Sequence, residues 1–365
     1  MPFSFPQAER AYRDDRILDL STDAEGMRYL LLRSLSRAEH TDALAADVGV
    51  SLEAIPRNLR LRHLFERGVS LEQMQQTIHR IHGAERAARE QREGALITEL
   101  YKMQSFDWGG LHQNSLEKTI IDNYVKRIIS FDRLNESIDN ELLASMRGYV
   151  QCSWYNHWTS IIIEDIFKTH RRVLPAVGLI KKVDFFVAMV PFDLKVTYLP
   201  EGYLKDRRSA MGLRPELTLL KREARNLGVH FENTLAEARL LELLWTRLSD
   251  HPSQSAQALV RDLSEQRSDA LRECVANPDE LIRWLYENQG VRRFDASNRL
   301  FLVLVNTQNY FASWKLKRAK DLLKRDISHY LDAVQDGRVG RRVSFAWEGQ
   351  QHSAVSDVVF IQHGA

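Results

Sequence analysis

The run Val190-Pro191-Phe192-Asp193-Leu194-Lys195-Val196-Thr197 alternates apolar and polar side chains. Successive side chains of a strand point to opposite faces, so Phe192, Leu194 and Val196 share one face while Asp193, Lys195 and Thr197 share the other. An acid and a lysine therefore project together. Nine positions earlier, Asp184 stands inside the apolar run Lys181-Lys182-Val183-Asp184-Phe185-Phe186-Val187. A tight connection lays this stretch, expected as a strand over 182–189, alongside the strand over 190–199. A carboxylate there needs a reason, because burying an ion without a partner or a metal is expensive. Among the 13 lysines only Lys195 has an acid two residues before it.

Outward from this strand the texture changes twice. An aromatic-rich helix, Ser153 to about His170, precedes it and passes through Arg171-Arg172-Val173-Leu174-Pro175. Residues 206–296 read as helices near 214–228, 233–249, 254–275 and 278–288, with charges nearly balanced. A strand returns as Arg299-Leu300-Phe301-Leu302-Val303-Leu304-Val305, then a helix over 313–335 and two short strands near 342–347 and 355–361. The first 150 residues read as all-helical, with runs at 25–36, 41–48, 70–92, 95–104, 115–131 and 137–150, Asp107-Trp108-Gly109-Gly110 as a turn and Ser115 as a helix start. The echo of VSLE at 50–53 and 69–72 is too short for a repeat. Residues 43–55 have helix-turn-helix offsets, but Pro56 falls where a recognition helix should continue, at a cost of ~3 kcal/mol, so an ordinary helical hairpin is expected. The fold class is then mixed α/β and helix-rich: an N-terminal helical region over 1–150, a core over 151–205 and 297–365, and a helical insertion over 206–296.

Two carboxylates and a lysine converging on a sheet suit a hard divalent cation. Mg²⁺ takes oxygen ligands, keeps several waters and needs one or two carboxylates plus substrate phosphates. This favours phosphodiester chemistry, in which the ion polarises the phosphate and activates a water while the Lys195 ammonium counters developing charge.

Asp184 followed after eight intervening positions by Asp193-Leu194-Lys195 resembles the PD-(D/E)xK nuclease signature, in the form found in type II restriction endonucleases. Val183 occupies the place of the proline in the family's name. The resemblance covers about a quarter of the chain, 153–199 and 299–335. It implies an αβββαβ core in which Asp184 and Asp193 ligate Mg²⁺, the Leu194 carbonyl adds a ligand, Lys195 is catalytic, and an acid of the first helix joins the site. Glu164 is the choice there; Asp165 is adjacent, and helix phase alone does not separate the two. A structural salt bridge between Asp193 and Lys195 is the alternative.

Net charge is only +2, so whole-chain electrostatics do not announce a nucleic-acid binder. The distribution is uneven: between Lys315 and Arg342, nine basic residues (Lys315, Lys317, Arg318, Lys320, Lys324, Arg325, Arg338, Arg341, Arg342) face four acids (Asp321, Asp326, Asp332, Asp336). A solvated helix face is one reading, a phosphate-contacting face the other. Lys205, Arg207 and Arg208, leaving the candidate strand, are expected at the DNA backbone, with Lys315, Lys317 and Arg318 as further contacts. A nuclease core has little surface for base edges, so base reading falls to the N-terminal region or the insertion. Cutting both strands implies a homodimer, and a restriction enzyme implies a separately encoded DNA methyltransferase.

Other chemistries are disfavoured. No glycine precedes a lysine, so a Walker A loop is excluded, and G-x-G-x-x-G is absent. Ser153 and His157 are spaced i,i+4 but lack a nucleophile elbow. Trp154, Tyr155 and Trp158 are expected as core anchors rather than a base-stacking platform. Cys152 and Cys274 have no metal-ligand spacing and read as buried thiols. With 44% hydrophobic and 27% charged residues, no apolar run of membrane length and no signal-like amino terminus, a folded cytoplasmic protein is expected. The leading expectation is a Mg²⁺-dependent endonuclease acting on double-stranded DNA, in phage defence. Alternatives are a DNA-binding or assembly protein with an inactive nuclease-like domain, and a nuclease for RNA or repair intermediates.

Overall fold

The computed structural model describes residues 2–111, 116–178, 180–288, 296–334 and 339–364; Ser115, Asp336 and Arg338 lie outside the described residues. The chain is mixed α/β, with a six-stranded sheet in the order β1-β2-β3-β4-β6-β5. The strands are β1 Val173–Pro175, β2 Phe185–Val187, β3 Val190–Tyr198, β4 Arg299–Asn306, β5 Arg341–Trp347 and β6 Gln350–His363. β1, β2 and β3 form an antiparallel meander; β4 runs parallel to β3, β6 parallel to β4, and β5 antiparallel to β6.

The long strand expected over 182–189 is three residues long, because Ala188 and Met189 both take positive φ (45° and 68°) and turn the chain at once into β3. Two left-handed residues are what a two-residue hairpin requires. Pairing with β2 therefore stops at Phe192, while β4 pairs with β3 from Asp193 to Tyr198. Beyond Phe192, β3 has no β2 residue hydrogen-bonded as a ladder on its other edge.

Helices cover both faces. On one, α9 (Leu143–Lys168) and α15 (Lys320–Ala333) bury Ile162, Ile163, Ile327 and Leu331 against Phe192 and the even-numbered side chains Leu300, Leu302 and Leu304 of β4. On the other, α10 (Glu201–Ala210), α13 (Gln254–Ala276) and α14 (Asp279–Glu287) pack on Phe301, Val303 and Val305. This is the face of Asp193 and Lys195, whose register partners are Arg299 and Phe301. The insertion carries its own small core, in which α11 (Glu216–Asn226) and α12 (Glu237–Ser249) bury Leu220, Leu240 and Leu244.

The amino-terminal helices are α1 Phe5–Arg13, α2 Ile17–Ser21, α3 Ala24–Ser34, α4 Ala38–Asp47, α5 Arg60–Glu66 and α6 Leu71–Tyr101. They do not close on themselves: Leu174, Val177, Val183 and Phe186 complete their core. At the seam Gly178 lies so close to α3 that a Cβ there would stand 2.1 Å from the Ser34 carbonyl oxygen. The runs 70–92 and 95–104 are one helix, α6, started by a Ser70/Gln73 capping box. The helices expected at 137–150 and 153–170 are likewise joined in α9, preceded by α7 (Leu116–Ile120), α8 (Phe131–Ser137) and two π-helical turns. No helix begins at residues 51–55: after Gly49, at φ +69°, the chain makes a 3-10 turn at Arg57–Leu59 and only then α5. The helix-turn-helix likeness has no recognition helix. Tyr310–Arg318 is a 3-10 segment, so the helix expected from 313 starts at Lys320. No helix among the described residues is long and apolar enough to cross a membrane.

Candidate active site

The open edge of β3 is where the sequence-selected residues gather. The Asp193 N–H donates toward β4, to the Asn298 carbonyl at 3.0 Å. Alternation turns the Leu194 N–H the other way, and there it donates to Asp184 Oδ2 at 2.7 Å. Asp184 is held by its own backbone too: its N–H donates to the Phe192 carbonyl at 2.8 Å and its carbonyl accepts from Ala176 at 3.1 Å. Phe185 is the register partner of Phe192 and the Asp184 N–H donates to the carbonyl of that same Phe192, so the Asp184 carboxylate sits where the next β2 residue would pair with β3.

Burial pushes the Asp184 carboxyl up from 3.8 to about 6, and the negative charges of Glu164 and, less strongly, Asp193 push the same way; the Leu194 N–H and the Lys168 ammonium oppose them. Asp184 thus feels one carboxylate from α9 and one from β3. Asp193 is 8% exposed. Its Oδ1 accepts from Lys195 Nζ at 2.7 Å, and its Oδ2 lies 3.7 Å from Arg299 Nε. The Lys195 side chain keeps 46% of its surface, so the ammonium meets solvent with one hydrogen bond made.

The phase of α9 separates the two acids that helix periodicity left open. Glu164 pairs with Lys168 at 2.7 Å, on the side that Asp184 senses. Asp165 points to α6, accepts from Arg89 at 2.9 and 2.8 Å, and lies near His82 and Arg86. Its burial alone would raise its pKa, but the neighbouring His82 and the Arg89 hydrogen bonds hold it down, to about 2. Asp165 ties helices together; Glu164 faces the site.

Among the described residues no group of three or more His, Cys, Asp or Glu side chains is gathered closely enough to hold a metal ion. Asp184, Asp193 and Glu164 are therefore neighbours in charge without being a ready-made cage. The donor set still suits Mg²⁺, which needs only one or two carboxylates and keeps waters for the rest. All the donors are oxygens, and a carboxyl raised by burial and by neighbouring negative charge is one that a cation would relieve.

The basic residues fare differently. Arg208 is 6% exposed and donates to the Arg214 carbonyl at 2.8 Å; Lys317 is 8% exposed and donates to Asn156 at 2.7 Å; Arg318 is 6% exposed and donates to the carbonyls of Leu100 and Met103. These three brace helices, and burial removes them from the expected backbone contacts. Burial also lowers the Lys317 ammonium to about 8. Arg207 pairs with Glu273, and Lys205 with Glu237 at 3.3 Å. Lys315 is exposed, its ammonium 5.7 Å over the Trp314 ring. Within the rest of the basic run, Lys320 pairs with Glu93 at 2.7 Å, Arg325 with Asp326 at 2.6 Å and Arg341 with Asp279 at 3.0 Å, so three more of its cations are held by acids. Tyr155 is a core anchor as expected, but Trp154 is 38% exposed.

Sequence reasoning missed Lys168 and Arg299, the cations that flank the acids. Arg299 had a signal: a charged residue opening an otherwise apolar strand, in register with Asp193. Comparison with protein-family models, with curated proteins and with solved structures finds no match for this chain.

Proposed function

We propose that this chain is a Mg²⁺-dependent endonuclease of double-stranded DNA, resembling type II restriction enzymes of the PD-(D/E)xK kind. The observation that carries the proposal is the Asp184 carboxylate seated on the Leu194 N–H at the free edge of β3, beside Asp193 and Lys195. The succession α9, β1, β2, β3, crossover helices, β4 supports it, since it follows the αβββαβ order that the resemblance implies.

In this reading Asp184 and Asp193 would hold the ion, with Glu164 contributing through water. The Leu194 carbonyl leaves β3 on the same edge as its N–H and is a further oxygen donor. When bound, the ion supplies Lewis-acid polarisation of the phosphate and an activated water. The half-exposed Lys195 ammonium would orient a water and meet charge developing on the phosphate. Lys205 and Arg207 would exchange glutamate partners for phosphates. A homodimer, a companion DNA methyltransferase and a cytoplasmic role in phage defence follow from the restriction reading and stand or fall with it.

The second reading, a DNA-binding or assembly protein with an inactive nuclease-like domain, is favoured by two observations: Lys195 and Glu164 already have ion-pair partners, and no three-ligand cluster is formed among the described residues. Asp193→Ala separates the two. Incubated with unmethylated phage DNA and Mg²⁺, the natural chain should give discrete fragments and the variant none, with DNA binding retained. Absence of cutting by the natural chain, with DNA bound, favours the second reading.

A further inference from the structure

At the carboxyl ends of β3 and β4 the sheet opens into a cleft of about 520 Å³. Its position follows from the topology. The chain leaves β3 through α10 toward the face that α13 and α14 also cover, and leaves β4 through the 3-10 segment and α15 toward the opposite face. Adjacent parallel strands whose connections part to opposite faces leave a crevice between them, and open α/β sheets bind their ligands there. The volume lies within the ~300–1,000 Å³ of small-molecule sites.

The lining specifies a chemistry. Phe106, Tyr310 and Phe311 offer half-buried aromatic surface, and Ser105 and Asn309 offer polar edges. The floor is rigid: Arg267, 2% exposed, donates to Glu201 and Glu216 and lies 5.3 and 5.5 Å from the ring centroids of Tyr310 and Phe311. Its charge is therefore spent. Arg239 at the rim has Glu242 at 3.7 Å. Lys315 is the lining cation for which no carboxylate partner is found among the described residues. An aromatic body with hydrogen-bonding edges and one anionic group meets these features together.

We propose that this cleft binds a single nucleotide, its base against Phe106, Tyr310 and Phe311 and its phosphate at Lys315. Thr197, at the mouth, stands two residues beyond Lys195 on the same face of β3. The occupant is either a nucleotide of the DNA strand turned out of its stack or a free nucleotide. Only the first case rests on the nuclease reading.

The test uses the full chain without divalent cation, so cleavage plays no part. Equilibrium dialysis with the four deoxynucleoside monophosphates probes the free source. A duplex carrying 2-aminopurine, whose emission rises on unstacking, probes the strand. Two variants accompany the natural chain: Ser105→Trp, which fills the cleft from an exposed position, and Lys315→Glu, at the rim, should the first fail to fold. Saturable mononucleotide binding, or 2-aminopurine emission rising on complex formation, supports the site if either variant weakens it about tenfold or more, the loss expected for a charged contact. Which of the two signals appears names the source. No signal in either arm, or signals unchanged in both variants, overturns the proposal. A chain that binds mononucleotides but cuts no DNA when Mg²⁺ is restored keeps the cleft and loses the nuclease reading.

Discussion

Replacing Asp184 by Asn should make the protein more stable while abolishing whatever the site does. A carboxyl moved from 3.8 to about 6 by burial and by Glu164 is, at 1.36 kcal/mol per pH unit, about 3 kcal/mol worse off ionised in the folded chain than in the unfolded one. Asn keeps an oxygen for the Leu194 N–H and drops the charge. Local relaxation and the incomplete burial of Asp184 reduce the gain to about 1–2 kcal/mol. The sign depends on pH. The folded group binds its proton more tightly than the unfolded one, so its penalty is absent below about pH 4, grows between about 4 and 6, and is complete above 6. Urea melts of both chains at pH 4, 5, 6 and 7.5, without divalent ions, measure it. The variant should gain stability at pH 7.5 and match the natural chain at pH 4. Mg²⁺ at tenfold over its dissociation constant should then stabilise the natural chain by about 1.4 kcal/mol and the variant by much less. A variant less stable than the natural chain at pH 7.5, or a gain equally large at pH 4, would refute the account of Asp184 as a carboxyl strained by burial and by its like-charged neighbours.

Three further outcomes are expected. Lys195→Ala should leave DNA affinity within a few fold and slow cleavage by orders of magnitude, because a charge aimed at the phosphate acts in the transition state; normal cutting in a single-turnover assay removes the role. The adjacent acids should part: Asp165→Ala takes two hydrogen bonds from Arg89, which keeps Glu85 at 3.7 Å, and should cost about 1.5–3 kcal/mol in a chemical melt, whereas Glu164→Gln should change stability little and lower the cleavage rate, so equal melts for the two would contradict the helix phase. Alanine at Lys205 and Arg207 together should lower the salt slope of DNA binding by about one per lost phosphate contact, and an unchanged slope places this segment off the DNA.

What the sequence made legible was local, and what it hid was set by distant partners. The alternation around Asp193 is a property of eight residues, and β3 keeps Leu194 and Val196 on one face and the register of Asp193 and Lys195 on the other, although with both faces covered its burial does not alternate. The brevity of β2 depends on Ala188 and Met189 taking left-handed backbone angles that neither residue type announces. β1 is three residues ending in proline, too short for a period to show. Glu164 and Asp165 became distinguishable only through Arg89, 76 residues away from Asp165 in the chain. The basic run looked like a solvated or phosphate-facing surface because nothing nearby in sequence reveals that Arg318 reaches back to Leu100. Charge counts do not see folding partners.

The pairing of β3 with β4 joins Asp193 to Arg299, with the whole insertion between them. A hairpin of three residue pairs cannot hold β3 by itself. The acids and Lys195 are therefore brought to order only after the ribosome has made about 100 further residues and the end of the insertion has come back to the sheet. At ~5–20 residues per second this takes roughly 5–20 s of synthesis. Through that interval the nascent chain carries Asp184, Asp193 and Lys195 without the strand that aligns them, so a nuclease built on these residues, as proposed, would spare the genome of the cell while its chain is unfinished.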